Sequence, residues 1–95
     1  MSRRLLSTRR LIPLDRQDEY LTAWNAVRAA AERADGRAWM FRGAAHQDHF
    51  IEFLEWRDGA DAPLPERSDV FAALRNLADR FGGGHVDEWE EVPEA

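Results

Sequence analysis

Apolar and polar residues alternate at the start of the chain, from Arg4 to Ile12, which is the pattern of a half-buried β-strand. Pro13 ends this first strand, because proline has no amide hydrogen to donate to a sheet. One face of the strand carries Leu6, Thr8, Arg10 and Ile12, and the other carries Leu5, Ser7, Arg9 and Leu11. Apolar and basic side chains therefore share both faces of the first strand.

The next segment repeats its apolar residues at every third or fourth position, which predicts a long amphipathic helix from about Asp15 to Ala34. Its apolar stripe consists of Tyr20, Leu21, Trp24, Val27, Ala31 and Ala34. Asp15 or Asp18 is expected to cap the start of this first helix, and Gly36 to stop it.

Two further strands follow, because runs of aromatic and branched residues favour extended structure. Arg37 to Gly43 is the second strand and His49 to Trp56 the third, with a link of hairpin length between them. A second helix is predicted from a cap at Ser68 to the triple glycine at 82–84. Its apolar stripe consists of Val70, Phe71, Leu74, Leu77, Ala78 and Phe81. His85 to Val92 then forms the fourth strand.

These elements form two β-α-β halves joined by a hairpin, the α+β arrangement called ferredoxin-like, in one domain that spans residues 1–95. Right-handed crossovers place strands one and two parallel, with strand three between them and strand four beside strand one. The predicted fold is therefore a four-stranded antiparallel sheet of order 4-1-3-2, with both helices on one face.

The charges of two neighbouring strands support this order. The first strand is basic, with Arg4, Arg9 and Arg10, whereas the fourth strand and the tail are acidic. The acidic residues are Asp87, Glu88, Glu90, Glu91 and Glu94. Opposite charges on adjacent strands contribute about 0.2–1 kcal/mol per pair, so the arginines need no nucleic acid to explain them.

Two helices on one side leave the other side of the sheet uncovered. Alternation assigns Trp39, Phe41, Ile51, Phe53, Val86 and Val92 to one face. The opposite face receives Met40, Phe50, Leu54, Trp56 and Trp89. Because both faces then carry large apolar side chains, we expect the sheet to pack against a second copy of the chain in a two-fold homodimer.

The order of elements, the first helix with Tyr20 and Trp24, and the third-strand ending Phe53-Leu54-Glu55-Trp56 resemble the dimeric α/β-barrel superfamily. This superfamily includes the antibiotic-biosynthesis-monooxygenase-like proteins, and the resemblance covers nearly the whole chain. It implies a dimer, and either a cofactor-independent oxygenase of aromatic compounds or a relative without assigned activity. Haem-degrading members match poorly, because the first strand has no Asn and no His lies between Trp56 and Phe81.

The predicted topology gathers the three histidines at one end of the sheet, because strands three and four begin where strands one and two finish. His46, His49 and His85, with Asp48 or Asp87 nearby, have side chains that suit zinc or iron. However, the intervening first strand would hold His49 and His85 about 10 Å apart. We therefore predict no metal, and regard the histidines as surface or hairpin residues unless a loop brings them together.

Charged residues also interrupt otherwise apolar strands, at Arg42, Glu52, Glu55 and Asp87. A charge in such a place is paired, exposed at an edge, or functional. In the functional interpretation Arg42 binds an anionic or enolate oxygen, and His49 or His85 acts as a general base, because imidazole titrates near neutral pH. The alternative is a structural or dimer-interface salt bridge.

A pocket between the first helix and the sheet would be lined by aromatic side chains, and would suit a flat apolar ligand oriented by a few polar groups. The residues assigned to ligand binding are Tyr20, Trp24, Asn25, Trp39, Glu52 and Trp56. Ordinary packing is the alternative for Trp24, and solvent exposure the alternative for Asn25.

Composition removes several classes of chemistry. The chain has no Cys, and all 13 of its basic residues are Arg, so thiolate sites, Schiff-base lysines and P-loops are excluded. The net charge of −5 argues against nucleic acid and anionic lipid as partners, and no apolar run is long enough to span a bilayer. We expect a cytoplasmic protein, and the extreme use of arginine suggests a bacterial genome rich in G and C.

The sequence therefore predicts a small-ligand binding protein or a cofactor-independent monooxygenase-like enzyme that acts on an aromatic or apolar metabolite. The alternative is a non-catalytic structural or protein-interaction dimer. Neither interpretation requires a cofactor.

Overall fold

A computed structural model describes residues 2–59 and 61–93, and its elements follow the predicted order. The strands are β1 (Arg3–Leu11), β2 (Arg37–Arg42), β3 (His49–Arg57) and β4 (His85–Glu90). The helices are α1 (Gln17–Arg33) and α2 (Ser68–Phe81), and short 3-10 turns at Leu14–Arg16 and Leu64–Glu66 lead into them. In the described part of the chain, no helix is both long enough and apolar enough to cross a membrane.

The strands form one sheet of order β2-β3-β1-β4, in which each neighbouring pair is antiparallel. This confirms the predicted order and the ferredoxin-like α+β fold. The order follows from the right-handed path of both β-α-β crossovers, which carries β2 and β4 to opposite sides of the central pair.

The hydrophobic core lies between the two helices and one face of the sheet. The sheet contributes Phe50 and Leu54 of β3, and Ile12 follows β1 into the same cluster. The remaining core residues are Tyr20, Ala23, Trp24, Val27, Ala30 and Ala31 of α1, Val70 and Leu77 of α2, and Leu64 between them. Both helices therefore cover the face that carries the even-numbered residues of β1 and β3.

The opposite face of the sheet has no helix over it and is called the open face below. It carries the odd-numbered residues of the strands, because directly paired residues of antiparallel strands project to the same side. The larger members are Leu5, Arg9, Leu11, Trp39, Phe41, Ile51, Phe53 and Trp89. Three of the apolar members are well exposed, Leu11 at 64%, Phe41 at 61% and Trp89 at 51%.

The register of β4 corrects the predicted faces of two residues. Trp89 pairs with Leu5 and lies on the open face, where its Nε1 donates to Ser7 Oγ at 2.8 Å. Val86 pairs with Thr8 and lies on the helix-covered side. Both assignments from alternation were wrong, because a shift of one residue in register moves a side chain to the other face. Val92 follows the end of β4 and belongs to neither face.

The predicted charge match between β1 and β4 is confirmed near the start of β1. Arg4 Nη2 lies 3.2 Å from Glu90 Oε2, and Arg3 Nη2 lies 2.9 Å from Glu91 Oε2. The hydrogen bonds from Arg3 hold the pKa of the Glu91 carboxyl below its usual range. Glu94 lies outside the described residues.

The predicted helix caps are wrong. Arg16 and Arg67 occupy the N-cap positions of α1 and α2, and neither makes a side-chain capping hydrogen bond. Asp18 and Ser68 are already inside the first turns, and Asp15 lies in the preceding 3-10 turn. The 3-10 turns account for the difference, because they change the direction of the chain just before each helix and shift its start.

Candidate functional site

A groove of about 470 Å³ lies on the open face, at the end of the sheet where β3 and β4 begin. Its apolar lining includes Leu11, Phe41 and Ile51, and its polar lining includes Arg9, His49 and His85. These six residues define the histidine groove. Its volume is within the range of small-molecule sites, which combine an apolar lining with a few polar groups.

The sheet register sets the order of side chains across the histidine groove. Phe41 of β2 pairs with Ile51 of β3, Ile51 pairs with Arg9 of β1, and Arg9 pairs with His85 of β4. Adjacent strands are about 5 Å apart, so apolar and cationic groups lie side by side along one straight row. The groove is therefore apolar at the β2 side and polar at the β4 side.

The two groove histidines differ in their neighbours. His85 Nε2 lies 3.3 Å from Asp87 Oδ2, two residues along the same face of β4. His49 Nε2 is 3.8 Å from Asp48 Oδ1, too far for a hydrogen bond. Asp87 can therefore orient the His85 ring by direct contact, whereas Asp48 is too distant to hold the His49 ring in this way.

The histidines do not assemble a metal centre in this structure. The rings of His46 and His49 pack with their centroids 5.0 Å apart, and His85 lies two strands away from His49. Within residues 2–59 and 61–93, no three His, Asp or Glu side chains approach closely enough to share a metal ion. The intervening strand β1 keeps the two sides of the groove apart.

Arg42 also borders the histidine groove, but it is the last residue of an edge strand and pairs with Phe50. Since Phe50 belongs to the core, the Arg42 side chain starts from the helix-covered side of β2. Arg9 lies on the open face, and it pairs with His85 where an acidic partner on β4 had been expected. Arg9 is thus a groove residue that sequence reasoning missed, although its place beside Leu11 on one strand face was already visible.

The residues assigned to ligand binding are spread over both sides of the sheet. Tyr20, Trp24 and Glu52 are buried, with 0%, 4% and 2% of their surface exposed, and Trp56 is half-buried against the same core. Asn25 is exposed on α1, where its Oδ1 accepts from Arg28 at 3.1 Å. Trp39 lies on the open face and stacks on Phe53, with a centroid distance of 5.4 Å.

A buried polar network joins α1 to the sheet. Glu52 Oε2 accepts hydrogen bonds from Arg10 Nε at 2.7 Å and from the Tyr20 hydroxyl at 2.5 Å. Arg10 also donates to the carbonyl of Gly82, which ends α2 with a φ of 91° that suits glycine. Glu52 Oε1 is buried and has no hydrogen-bond partner among the described residues. The network ties together β1, β3 and both helices.

The single tyrosine of the chain reports on this network. Burial, and then the negative charge of Glu52, raise the pKa of Tyr20 far above its ordinary value. In the unfolded chain the phenol ionises near its ordinary pKa of about 10. Above that pH the free energy of unfolding therefore decreases by about 1.4 kcal/mol per pH unit. Below about pH 10 the buried Tyr20 hydroxyl makes its full contribution to the free energy of unfolding.

We therefore expect no phenolate absorbance from the native protein at about pH 11, one unit above the ordinary pKa of tyrosine. The same titration in concentrated urea should show complete ionisation, which provides the control. A native titration that begins near the ordinary pKa would contradict the buried position of the Tyr20 hydroxyl.

No protein-family model and no curated protein matches this chain. Solved structures do match its fold. A candidate antibiotic biosynthesis monooxygenase from Bordetella bronchiseptica superimposes with a TM-score of 0.71 and 12% identity, covering 98% of this chain and 100% of that one. A similar candidate from Nitrosomonas europaea gives a TM-score of 0.70 and 12% identity, covering 94% and 88%.

A protein of unknown function from Bacteroides thetaiotaomicron gives a TM-score of 0.73 and 13% identity, covering 95% of this chain and 97% of that one. At such low identity these likenesses establish the fold. The resemblance to antibiotic-biosynthesis-monooxygenase-like proteins is thus confirmed for the three-dimensional structure, over nearly the whole chain.

Proposed function

We propose that the protein binds a small, flat, aromatic or apolar molecule in the histidine groove. The observation that carries this proposal is the straight row from Phe41 through Ile51 and Arg9 to His85. This row offers an apolar surface next to groups that hold a polar substituent. In contrast, the buried ligand-binding candidates are part of the core: Tyr20 packs against Phe50 and Phe81, and Trp24 belongs to the same buried cluster.

We further propose that the open face pairs with a second copy of the chain. Leu11, Phe41 and Trp89 are exposed on one side of a single sheet, together with the half-buried rings of Trp39 and Phe53. A continuous apolar surface of this kind marks an interaction site, and two-fold pairing is the commonest arrangement. A second sheet over the first would also roof the histidine groove and exclude water from it.

A second candidate function is a cofactor-independent monooxygenase-like reaction in the same groove. The fold shared with candidate monooxygenases favours it, and so does the contact between His85 and Asp87 at 3.3 Å. In this reaction His85 or His49 takes a C–H proton from an aromatic ketone, and Arg9 or Arg42 stabilises the enolate oxygen. The enolate carbon then forms a bond to O₂ and, after protonation, gives a hydroperoxide. Loss of the second C–H proton breaks the O–O bond, which leaves a new carbonyl and releases the other oxygen atom as water.

Anthrone, a flat neutral ketone with an acidic C–H, tests both candidates. We expect equilibrium dialysis to show saturable binding, and Ile51→Trp to weaken it by about tenfold or more because the added ring fills the groove. The matched control is Leu21→Trp, which adds the same ring at an exposed site on α1.

The same mixture in an oxygen electrode tests the reaction. Oxygen uptake above the uncatalysed rate, with anthraquinone as product and loss of activity in His85→Asn, would support the enzyme. Binding without uptake would leave the ligand-binding function and remove the second candidate. If anthrone does not bind and native mass spectrometry of fresh protein finds a bare dimer, the non-catalytic structural or interaction dimer is correct.

A further inference from the structure

Among the described residues, Arg9 differs from the other arginines of β1 in having no acidic partner. Arg3 pairs with Glu91, Arg4 with Glu90 and Asp58, and Arg10 with Glu52. Within residues 2–59 and 61–93, no carboxylate oxygen lies within ion-pairing distance of the Arg9 guanidinium. The protein is acidic, with a net charge of −5, yet the guanidinium of Arg9 has no carboxylate partner among the described residues. Arg9 also lines the histidine groove.

The neighbours of Arg9 favour an anion over a neutral ligand. In the sheet register the neighbour of Arg9 on β4 is His85, whose ring offers further hydrogen-bond donors when it is protonated. The neighbour of Arg9 on β3 is Ile51, and the neighbour of Ile51 on β2 is Phe41. A ligand that spans this row meets apolar surface over β2 and β3 and positive charge over β1.

These facts lead us to propose that the ligand of the histidine groove is an aromatic carboxylate, with its ring over Phe41 and Ile51 and its carboxylate on Arg9. The inference rests on the proposed ligand-binding function and adds the chemical class of the ligand. The planar guanidinium matches a carboxylate with two parallel hydrogen bonds. The adjacent strands β3 and β1 are about 5 Å apart, so a ring over Ile51 brings its carboxylate within reach of the long Arg9 side chain.

His85 completes the anion site as a positioning group. Its contact with Asp87 at 3.3 Å turns one ring nitrogen toward that carboxylate and leaves the other free for the ligand. Asp87 also lies next to Ser7 in the register, on the same face as Arg9. The acidic residue thus orients the imidazole without neutralising Arg9.

The test compares 1-naphthoate with 1-naphthamide, which has the same ring and a neutral amide in place of the carboxylate. We expect the unmodified protein to bind 1-naphthoate about tenfold more tightly than 1-naphthamide, because charge-assisted bidentate hydrogen bonds are strong. Arg9→Gln should reduce that preference to about twofold or less, because the Gln side chain has no charge to favour the carboxylate over the amide. Raising the salt concentration should weaken the preference in the unmodified protein.

Two further variants control the result. Arg28→Gln makes the same change of net charge on the exposed side of α1 and should keep the full preference. Arg9→Lys keeps the charge without the planar fork, and should keep only part of the preference. Arg9→Lys preserves the charge on the open face. If Arg9→Gln does not fold, the preference of Arg9→Lys for 1-naphthoate over 1-naphthamide therefore tests the role of Arg9.

The outcomes separate this inference from the proposed function. If both naphthalene compounds bind with equal affinity, the groove binds ligands but the carboxylate assignment is wrong. If neither binds, the ligand-binding function itself fails. If Arg9→Gln weakens the dimer while the preference for 1-naphthoate persists, Arg9 pairs with a carboxylate of the second copy, which also overturns the inference.

Discussion

Replacing Arg10 by methionine is expected to lower the free energy of unfolding by about 3–5 kcal/mol, because it leaves the buried Glu52 carboxylate without a cation. The two side chains are only 4% and 3% exposed, and Arg10 Nε lies 2.7 Å from Glu52 Oε2. Domains of this size have a total stability of about 5–15 kcal/mol, so the variant should be close to unfolding at room temperature. Urea denaturation followed by tryptophan fluorescence, at one fixed protein concentration, measures the change.

Two further variants define the cause of this loss. Arg75→Met removes an exposed arginine whose partner Asp79 is 3.5 Å away on α2, and it should leave the urea midpoint unchanged. The double variant Arg10→Met/Glu52→Leu should recover much of the lost stability, since well-packed apolar residues replace buried ion pairs at little cost. A loss in Arg10→Met no larger than in Arg75→Met would show that the buried network does not hold the core.

Replacing Phe41 by glutamate is expected to convert the proposed dimer into a monomer. A charge at a desolvated aromatic position of an interface costs about 3 kcal/mol or more, which is roughly a hundredfold in the dissociation constant. Phe41 is 61% exposed in the single chain, so the substitution does not open the core. Light scattering coupled to size exclusion, at micromolar protein, gives the mass directly.

Phe71→Glu is the matched control for this experiment. Phe71 is 53% exposed on α2, on the helix-covered side of the molecule, and the same substitution there should leave the dimer intact. Equal masses for both variants, or a monomeric unmodified protein, would contradict the pairing of open faces.

Local sequence patterns were sufficient to predict the elements and their order. Alternation over β1, three- and four-residue spacing over α1 and α2, and the glycines after α2 each depend on neighbouring residues alone. The 4-1-3-2 sheet order then follows from the handedness of the crossovers. Element ends were less accurate, as the 3-10 turns before both helices and the early end of β4 show.

The composition of the site was predicted in part. His46, His49 and His85 were expected at one end of the sheet, and two of them, His49 and His85, border the histidine groove together with Arg42. Arg9 was missed because the acidic residues of β4 offered it a partner in the sequence. The register places Arg9 opposite His85 instead, two residues before Asp87, the nearest carboxylate of β4.

The sequence by itself determined the ferredoxin-like arrangement, because that arrangement depends on periodicities and turn residues that act over a few positions. Only the tertiary structure decided which side chains share a face and which charges are paired. A shift of one residue in register exchanges Val86 and Trp89 between the two faces. The Arg10–Glu52 pair joins residues 42 positions apart on the helix-covered face. Arg9 lies on the opposite face beside His85, and it has no carboxylate partner among the described residues.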